Sequence, residues 1–234
     1  MDPIAADSPS GLLRELSAIN TRVPPRTERT TEDAERATIC RFLSTFADSD
    51  LFHYPLRVDP GDRPDFSLVL PKATIGVEVT EAVPTDLARA DALQEHRDYD
   101  AVRFLQRFTP GEPPRSLEEV DEIARGNVSG EGWAGDSVEV EWADAMIYFS
   151  LAKAERFSRP GFRRHASNWL LIYDNWELPM LNEPKAAAFF QTKLIALDPP
   201  LPFDRIFVEC ERTIWQFAPP WHGSRAIVDV WGDS

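Results

Sequence analysis

Two acidic side chains stand at the ends of two short strand-like runs in RPDFSLVLPKATIGVEVTEA, and no other feature constrains the fold of this chain as much. The run 66–70 opens directly after Pro64 and Asp65, and the run 75–80 follows a turn containing Pro71 and Lys72. The two-residue period of a strand puts Ile75, Val77 and Val79 on one face and Gly76, Glu78 and Thr80 on the other. Glu78 therefore interrupts an otherwise apolar run. A carboxylate on a buried strand has to be neutralised, hydrogen-bonded or bound to a cation, because an ion stripped of water without compensation is strongly destabilising. Two such carboxylates on adjacent strands suit a hard divalent cation, Mg²⁺ or Mn²⁺, which prefers oxygen ligands.

The flanking segments supply the rest of an α/β pattern. Thr30-Thr31-Glu32-Asp33 reads as a helix start, and Ile39, Phe42, Leu43 and Phe46 then recur at helical spacing to about residue 49. Residues 51–58 read as a strand, followed by the turn Pro60-Gly61-Asp62 and the two carboxylate-bearing runs. Residues 85–108 form a charged helical stretch, and 109–140 read as an irregular insertion rich in Gly, Pro, Glu and Asp. A helix over 141–157 ends at Pro160-Gly161, and Trp169 to Tyr173 reads as a fully buried strand. A helix over 183–197 precedes strands at 205–208, 213–217 and 226–231. Residues 1–30 read as a loosely docked arm, and 31–234 as a single domain with its insertion at about 85–140.

The order helix, three strands, helix, strand and the residues Pro64-Asp65, about a dozen residues, then Glu78-Val79-Thr80 resemble the PD-(D/E)xK nuclease superfamily. The resemblance implies a restriction-endonuclease-like α-β-β-β-α-β core: a mixed central sheet flanked by helices, with a helical and loop insertion and extra C-terminal strands. It implies that Asp65, Glu78 and the backbone carbonyl of Val79 hold Mg²⁺ or Mn²⁺. Thr80 stands where the motif lysine, which positions the attacking water, is expected. In some branches that lysine has moved to the following helix, and Lys153 matches such a position. It continues the stripe Trp142, Ala145, Met146, Phe149 and Ala152, four residues after Phe149. Lys153 has a second reading, in which its stem packs and its ammonium reaches solvent at the helix end.

Glu35, four residues before Ile39, is implied by the same resemblance as a further metal contact. Read alone, it is equally a first-turn acid favoured by the helix dipole, with Glu32 as its competitor. The formal net charge of −14 excludes binding of nucleic acid by bulk attraction. Any such contact is local, and one basic stretch offers it: Lys153, Arg156, Arg159, Arg163, Arg164 and His165 fall within thirteen residues. The resemblance makes Arg156, Arg159, Arg163 and Arg164 contacts to backbone phosphates; the alternative is a solvated helix end.

Other chemistries find little support. The four histidines show no paired metal spacing, and no GxGxxG, P-loop or GxSxG occurs. Cys40 and Cys210 sit in apolar runs and read as reduced core thiols. No apolar run approaches the ~20 residues of a membrane span, and MDPIAADSPS lacks the marks of a signal peptide, so a cytoplasmic protein without membrane contact is expected. The function implied is a metal-dependent endonuclease cleaving phosphodiester bonds in DNA or RNA, in a setting of phage defence or mobile elements. The alternative is a catalytically inactive nuclease-fold subunit that binds a protein partner or a second copy. A third reading makes Asp65 and Glu78 a buried polar pair of an unrelated enzyme.

Overall fold

The computed structural model describes residues 1–97, 99 and 101–232; positions 98, 100, 233 and 234 of the expected domain lie outside the described residues. The elements in chain order are β1 (Ile4–Ala6), α1 (Pro9–Ser17), α2 (Thr31–Phe46), β2 (Leu56–Pro60), β3 (Phe66–Leu70), β4 (Ala73–Ala82) and α3 (Thr85–Arg97). They continue with α4 (Leu117–Ala124), α5 (Ser137–Phe157), β5 (Ser167–Asp174), α6 (Glu183–Ile195), β6 (Arg205–Cys210), β7 (Thr213–Ala218) and β8 (Trp221–Ala226). The class is α/β, built on one open, mixed sheet whose eight strands among the described residues lie side by side in chain order. β1 to β4 pair antiparallel, β4, β5 and β6 pair parallel, and β6 to β8 return to antiparallel pairing. Parallel neighbours require crossovers, and α5 and α6 supply them.

The sheet separates two apolar cores. On one face α1 and α2 cover β1 to β4, with Leu12, Leu16, Ile39, Leu43 and Val77 fully buried. Phe42 meets Phe207 and Trp169 there at ring-centroid distances of 4.6 Å and 6.1 Å, edge-on in both cases. Each such pair contributes about 0.5–1.5 kcal/mol beyond the area it buries. On the other face α5 and α6 pack Trp142, Met146 and Phe190 against Leu170, Ile172 and Phe217. The central strands β4 and β5 are thus covered on both sides, which is why their sequences read as apolar runs. Both cysteines are free and buried.

Local chemistry accounts for the helix starts. Thr30 caps α2 in a reciprocal box with Asp33, and Ser116 does the same for α4 with Glu119. Asn182 caps α6, whose first turn carries Pro184. α5 stops at Phe157, just before Pro160 and Gly161, the latter at φ +88°.

Several expectations are corrected. Residues 1–30 are not a loose arm throughout: β1 joins the sheet edge against β2, and Leu12 and Leu16 of α1 have no exposure. The strand expected over 51–58 begins only at Leu56, because Phe52 and Tyr54 form a turn tied to the end of α2; Tyr54 Oη donates to the Ala47 carbonyl at 2.7 Å. The helix expected to residue 108 ends at Arg97, where Gln94 Nε2 donates to the carbonyls of Tyr99 and Ala101. Within the expected irregular insertion stands the capped helix α4, docked on α3 through Val120 and Ile123. The last strand is Trp221–Ala226, formed by reversal at Pro219-Pro220, and the expected strand 226–231 instead bonds to α2. There Val228 N–H donates to Thr45 Oγ1 and Ser44 Oγ donates to the Val228 carbonyl.

Candidate active site

Asp65 precedes β3 and Glu78 lies within β4, and the pairing Phe66 to Val77 brings the two carboxylates together at one end of the β3–β4 pair. The turn before β3 is closed by the Gly61 N–H on the Asp65 carbonyl at 2.9 Å. Asp65 Oδ2 then accepts the Val79 N–H at 2.7 Å, which fixes the carboxylate over β4. Glu78 is 5% exposed and faces α5, as the strand period requires.

Lys153 of α5, 8% exposed, completes the group. Its Nζ donates to Glu78 Oε2 at 2.9 Å and to Asp65 Oδ2 at 3.2 Å. Of its two readings, the buried one is observed: the ammonium turns into the sheet and not out to solvent. Burial pulls the Lys153 pKa down, but the charges of Asp65 and Glu78 outweigh it and hold the group above the ordinary lysine value. Burial, reinforced by the Asp65 charge, pushes Glu78 above the ordinary carboxylate range. With Lys153 protonated and both carboxylates ionised the triad carries one net negative charge.

Glu35 is half-buried on α2 and lines the adjoining cleft. Its pKa is raised to about 7, first by burial, then by the negative charge of Asp65, against the opposing pull of Lys153. Glu32, its competitor, is exposed. Thr80 and Val79 line the same cleft, of about 350 Å³, together with Lys153 and Arg156.

The basic stretch does not act as a unit. All four arginines are exposed, but only Arg156 borders the cleft. Arg159 pairs with Glu155 at 3.1 Å, one turn back on its own helix end, and Arg164 stacks over the Phe157 ring. The Arg163 N–H reaches the Arg63 carbonyl at 3.4 Å, so that residue borders the Pro64-Asp65 turn from the other side.

Two residues that sequence reasoning left without a role also border the cleft. Arg26 and Arg29, in the segment between α1 and α2, converge on Glu81 at 3.2 Å and 2.8 Å. Glu81 faces away from Glu78, as its place three residues further along β4 requires. Its pKa falls below the ordinary value because hydrogen bonds and charge from Asn175, Arg26 and Arg29 overcome its burial. Arg26 also holds Asp91 of α3 at 2.7 Å. The segment has no periodicity to announce this; the density of arginine just before the α2 cap was the available signal.

Asp65 and Glu78 are the carboxylate donors at this end of the sheet. Glu78 Oε1 is buried and has no hydrogen-bond partner, and Asp65 Oδ2 and Glu78 Oε2 both accept from one ammonium. Oxygen donors of this kind are what Mg²⁺ and Mn²⁺ take, completed by water and phosphate. Among the described residues no group of three or more His, Cys, Asp or Glu side chains is arranged to hold a metal. Glu35 is therefore not gathered into a ligand set with the other two. Also among the described residues, no helix is long and apolar enough to cross a membrane. Compared with known proteins, the chain matches no family model, no curated protein and no solved structure.

Proposed function

We propose that this chain is a metal-dependent nuclease of the PD-(D/E)xK type in which the lysine of the motif is supplied from α5. The observation that carries the reading is the contact of Lys153 Nζ with both Asp65 and Glu78. A lysine absent from the strand returns from a helix more than seventy residues later, at the same pair of carboxylates. The element order α2-β2-β3-β4-α5-β5, with α3 and α4 inserted between β4 and α5, adds support, since without the insertion it is the core order of restriction-endonuclease-like folds.

Asp65, Glu78 and the Val79 carbonyl would hold one Mg²⁺ or Mn²⁺. When bound, such an ion supplies an acidified water and positive charge against the charge developing on a scissile phosphate. The chain's own groups do the rest. Lys153 holds its proton and orients an oxygen beside the carboxylates, a charge that the neutral Thr80 hydroxyl cannot provide. Glu35, titrating near neutrality, accepts or returns a proton at the cleft wall. Arg156 meets a backbone phosphate without reading sequence.

The test is incubation of purified protein with plasmid, single-stranded DNA and RNA in Mn²⁺, Mg²⁺ or EDTA. Cleavage in Mn²⁺ or Mg²⁺, absent in EDTA and in Glu78→Ala, is the expected result. Cleavage that survives Glu78→Ala locates the chemistry elsewhere. A second reading, an inactive nuclease-fold subunit that binds or assembles, is favoured by one observation: the Lys153 ammonium itself neutralises part of the carboxylate pair. It expects no cleavage and no Mn²⁺ binding that depends on Asp65.

A further inference from the structure

The cleft beside the carboxylates holds two arginines to which the nuclease chemistry gives no role, Arg26 and Arg29. Arg26 and Arg29 enter it from the segment before α2, and Lys153 and Arg156 enter from α5. The carboxylates lining the same space are Glu35 and Glu81. On a chain with a net charge of −14, four cations border about 350 Å³; Lys153 is paired with Asp65 and Glu78, Arg26 with Glu81 and Asp91, and Arg29 with Glu81.

Their pairing is incomplete. Arg156 makes no ion pair among the described residues and is exposed. Both hydrogen bonds from the Arg29 side chain to Glu81 leave from Nη2 alone, out of five N–H donors that a guanidinium carries. Thr38, 2% exposed, lines the cleft, and its Oγ1 is buried without a hydrogen-bond partner. An unmet hydroxyl beneath a set of arginines is the marking of a ligand position, because a buried polar atom left alone is destabilising.

Charge and size select the ligand. An internal phosphodiester carries one negative charge, whereas a terminal phosphomonoester carries about −1.5 to −2 near neutral pH and presents three acceptor oxygens. Two or more arginines converging on one small space match the second better, with bidentate geometry available. The space is within the ~300–1,000 Å³ of small-molecule sites and is walled by α2, α3, α5 and the end of β4, which suits one nucleotide and not a duplex. Tyr173 lines the same wall, with the Arg41 guanidinium over its ring at 5.3 Å.

We propose that this cleft is a binding site for the phosphorylated end of a single nucleic-acid strand, with Arg29, Arg156 and Thr38 around the terminal phosphate. The proposal rests on the nuclease reading and narrows it to strand ends.

Binding measured in EDTA keeps the two claims apart. The probe is a fluorescein-labelled ten-nucleotide single strand carrying a 5′-phosphate, a 3′-phosphate or hydroxyls at both ends, followed by fluorescence anisotropy. At least tenfold tighter binding of one phosphorylated strand than of the hydroxyl strand is expected, with competition by a phosphorylated linear strand and none by a circular one. The free nucleoside monophosphate, added as competitor, should bind more weakly than the strand; equal or tighter binding would make the ligand a mononucleotide and overturn the strand-end assignment. Arg156→Ala, a change at an exposed and unpaired side chain, should erase most of the phosphate preference, and Arg29→Lys should reduce it while keeping a charge opposite Glu81. Equal binding of phosphorylated and hydroxyl strands, binding of neither, or a preference untouched by Arg156→Ala overturns the proposal. Failure of the nuclease reading shows elsewhere, as absence of Mn²⁺-dependent cleavage of every strand, circular ones included.

Discussion

Lys153 and Glu78 meet at 2.9 Å across the interface between α5 and the sheet, both almost fully buried. A buried ion pair is held less by its own attraction than by the cost of leaving either partner alone. Asp65, at 3.2 Å from the same ammonium, makes removal of the lysine costlier still, since two carboxylates would then face each other. Lys153→Ala is expected to destabilise the protein by about 3–5 kcal/mol near neutral pH. The double variant Lys153→Met with Glu78→Gln should recover most of that loss. Urea unfolding followed by tryptophan fluorescence measures both, and independent, additive losses would show that the contact carries no coupling.

The same lysine separates a nuclease from a silent relative. If it orients the reacting water or phosphate, Lys153→Met should lower Mn²⁺-dependent cleavage by about 10²-fold or more, the scale seen on removing one electrostatic contact from an active site. Lys153→Arg keeps the charge but not the compact ammonium, and should recover stability more than activity. Parallel recovery of both would assign Lys153 to structure alone.

Much of this arrangement is legible in the sequence, for identifiable reasons. The runs 66–70 and 75–80 announce β3 and β4 through apolar periodicity and the Pro64 and Pro71 boundaries, and the period places Glu78 on the face opposite Ile75, Val77 and Val79; that α5 covers this face is not in the pattern. Lys153 is legible because it continues the buried stripe of an amphipathic helix. Arg26 and Arg29 are not, because their roles come from Glu81 and Asp91, more than fifty residues away, and from no local pattern. The strand expected at 226–231 fails for a related reason: a short, mostly apolar run fits a strand and also fits an extended segment laid over a helix. Only the reversal at Pro219-Pro220, which hands the β7 edge to Trp221–Ala226, decides between them.

Glu81 is the hub that ties the 26–29 segment to the sheet, accepting hydrogen bonds from Arg26, Arg29 and Asn175. Its folded pKa is depressed, so its contribution to stability is present above its ordinary value of 4.5 and is lost as pH falls through the lower folded value. Glu81→Gln should release the segment at neutral pH. Limited trypsin digestion, read by mass spectrometry, is expected to cut faster after Arg26 and Arg29 than in the wild type; unchanged cleavage would mean that the backbone bonds to Glu95 suffice to hold it.

Gly76 lies two residues before Glu78 on the same face of β4, under close packing. A Cβ there would come within 2.9 Å of both Asn168 Oδ1 and His165 Cδ2. Asn168 is not free to yield, because its Oδ1 accepts the His165 N–H at 3.1 Å and its Nδ2 donates to the His165 carbonyl at 2.8 Å. Gly76→Ala should therefore cost about 1–3 kcal/mol through overpacking. It should also displace the 163–165 loop from the Pro64-Asp65 turn. Thermal unfolding checks the first, and a drop in activity beyond that explained by stability checks the second.

Glu35 gives the fold a pH dependence of opposite sign to that of Glu81. Burial and the charges of Asp65, Glu32 and Glu78 raise its folded pKa from an ordinary 4.5 to about 7, and Lys153 only partly opposes them. Between those two values the folded protein binds more protons than the unfolded chain, so stability falls as pH rises across that window. Above pH about 7 the folded state carries an ionised Glu35 against the negative charge of the triad. Glu35→Gln removes that charge while keeping the shape. Its gain in stability over the wild type should be small near pH 5 and clear near pH 8, as read from urea midpoints at both. A bound divalent cation should shrink the difference at the upper pH by offsetting the same repulsion, so adding Mn²⁺ to the wild type near pH 8 should raise its midpoint more than it raises that of Glu35→Gln. Equal gains at the two pH values would mean that Glu35 titrates as an ordinary surface acid, and its place beside the triad would then have no electrostatic consequence.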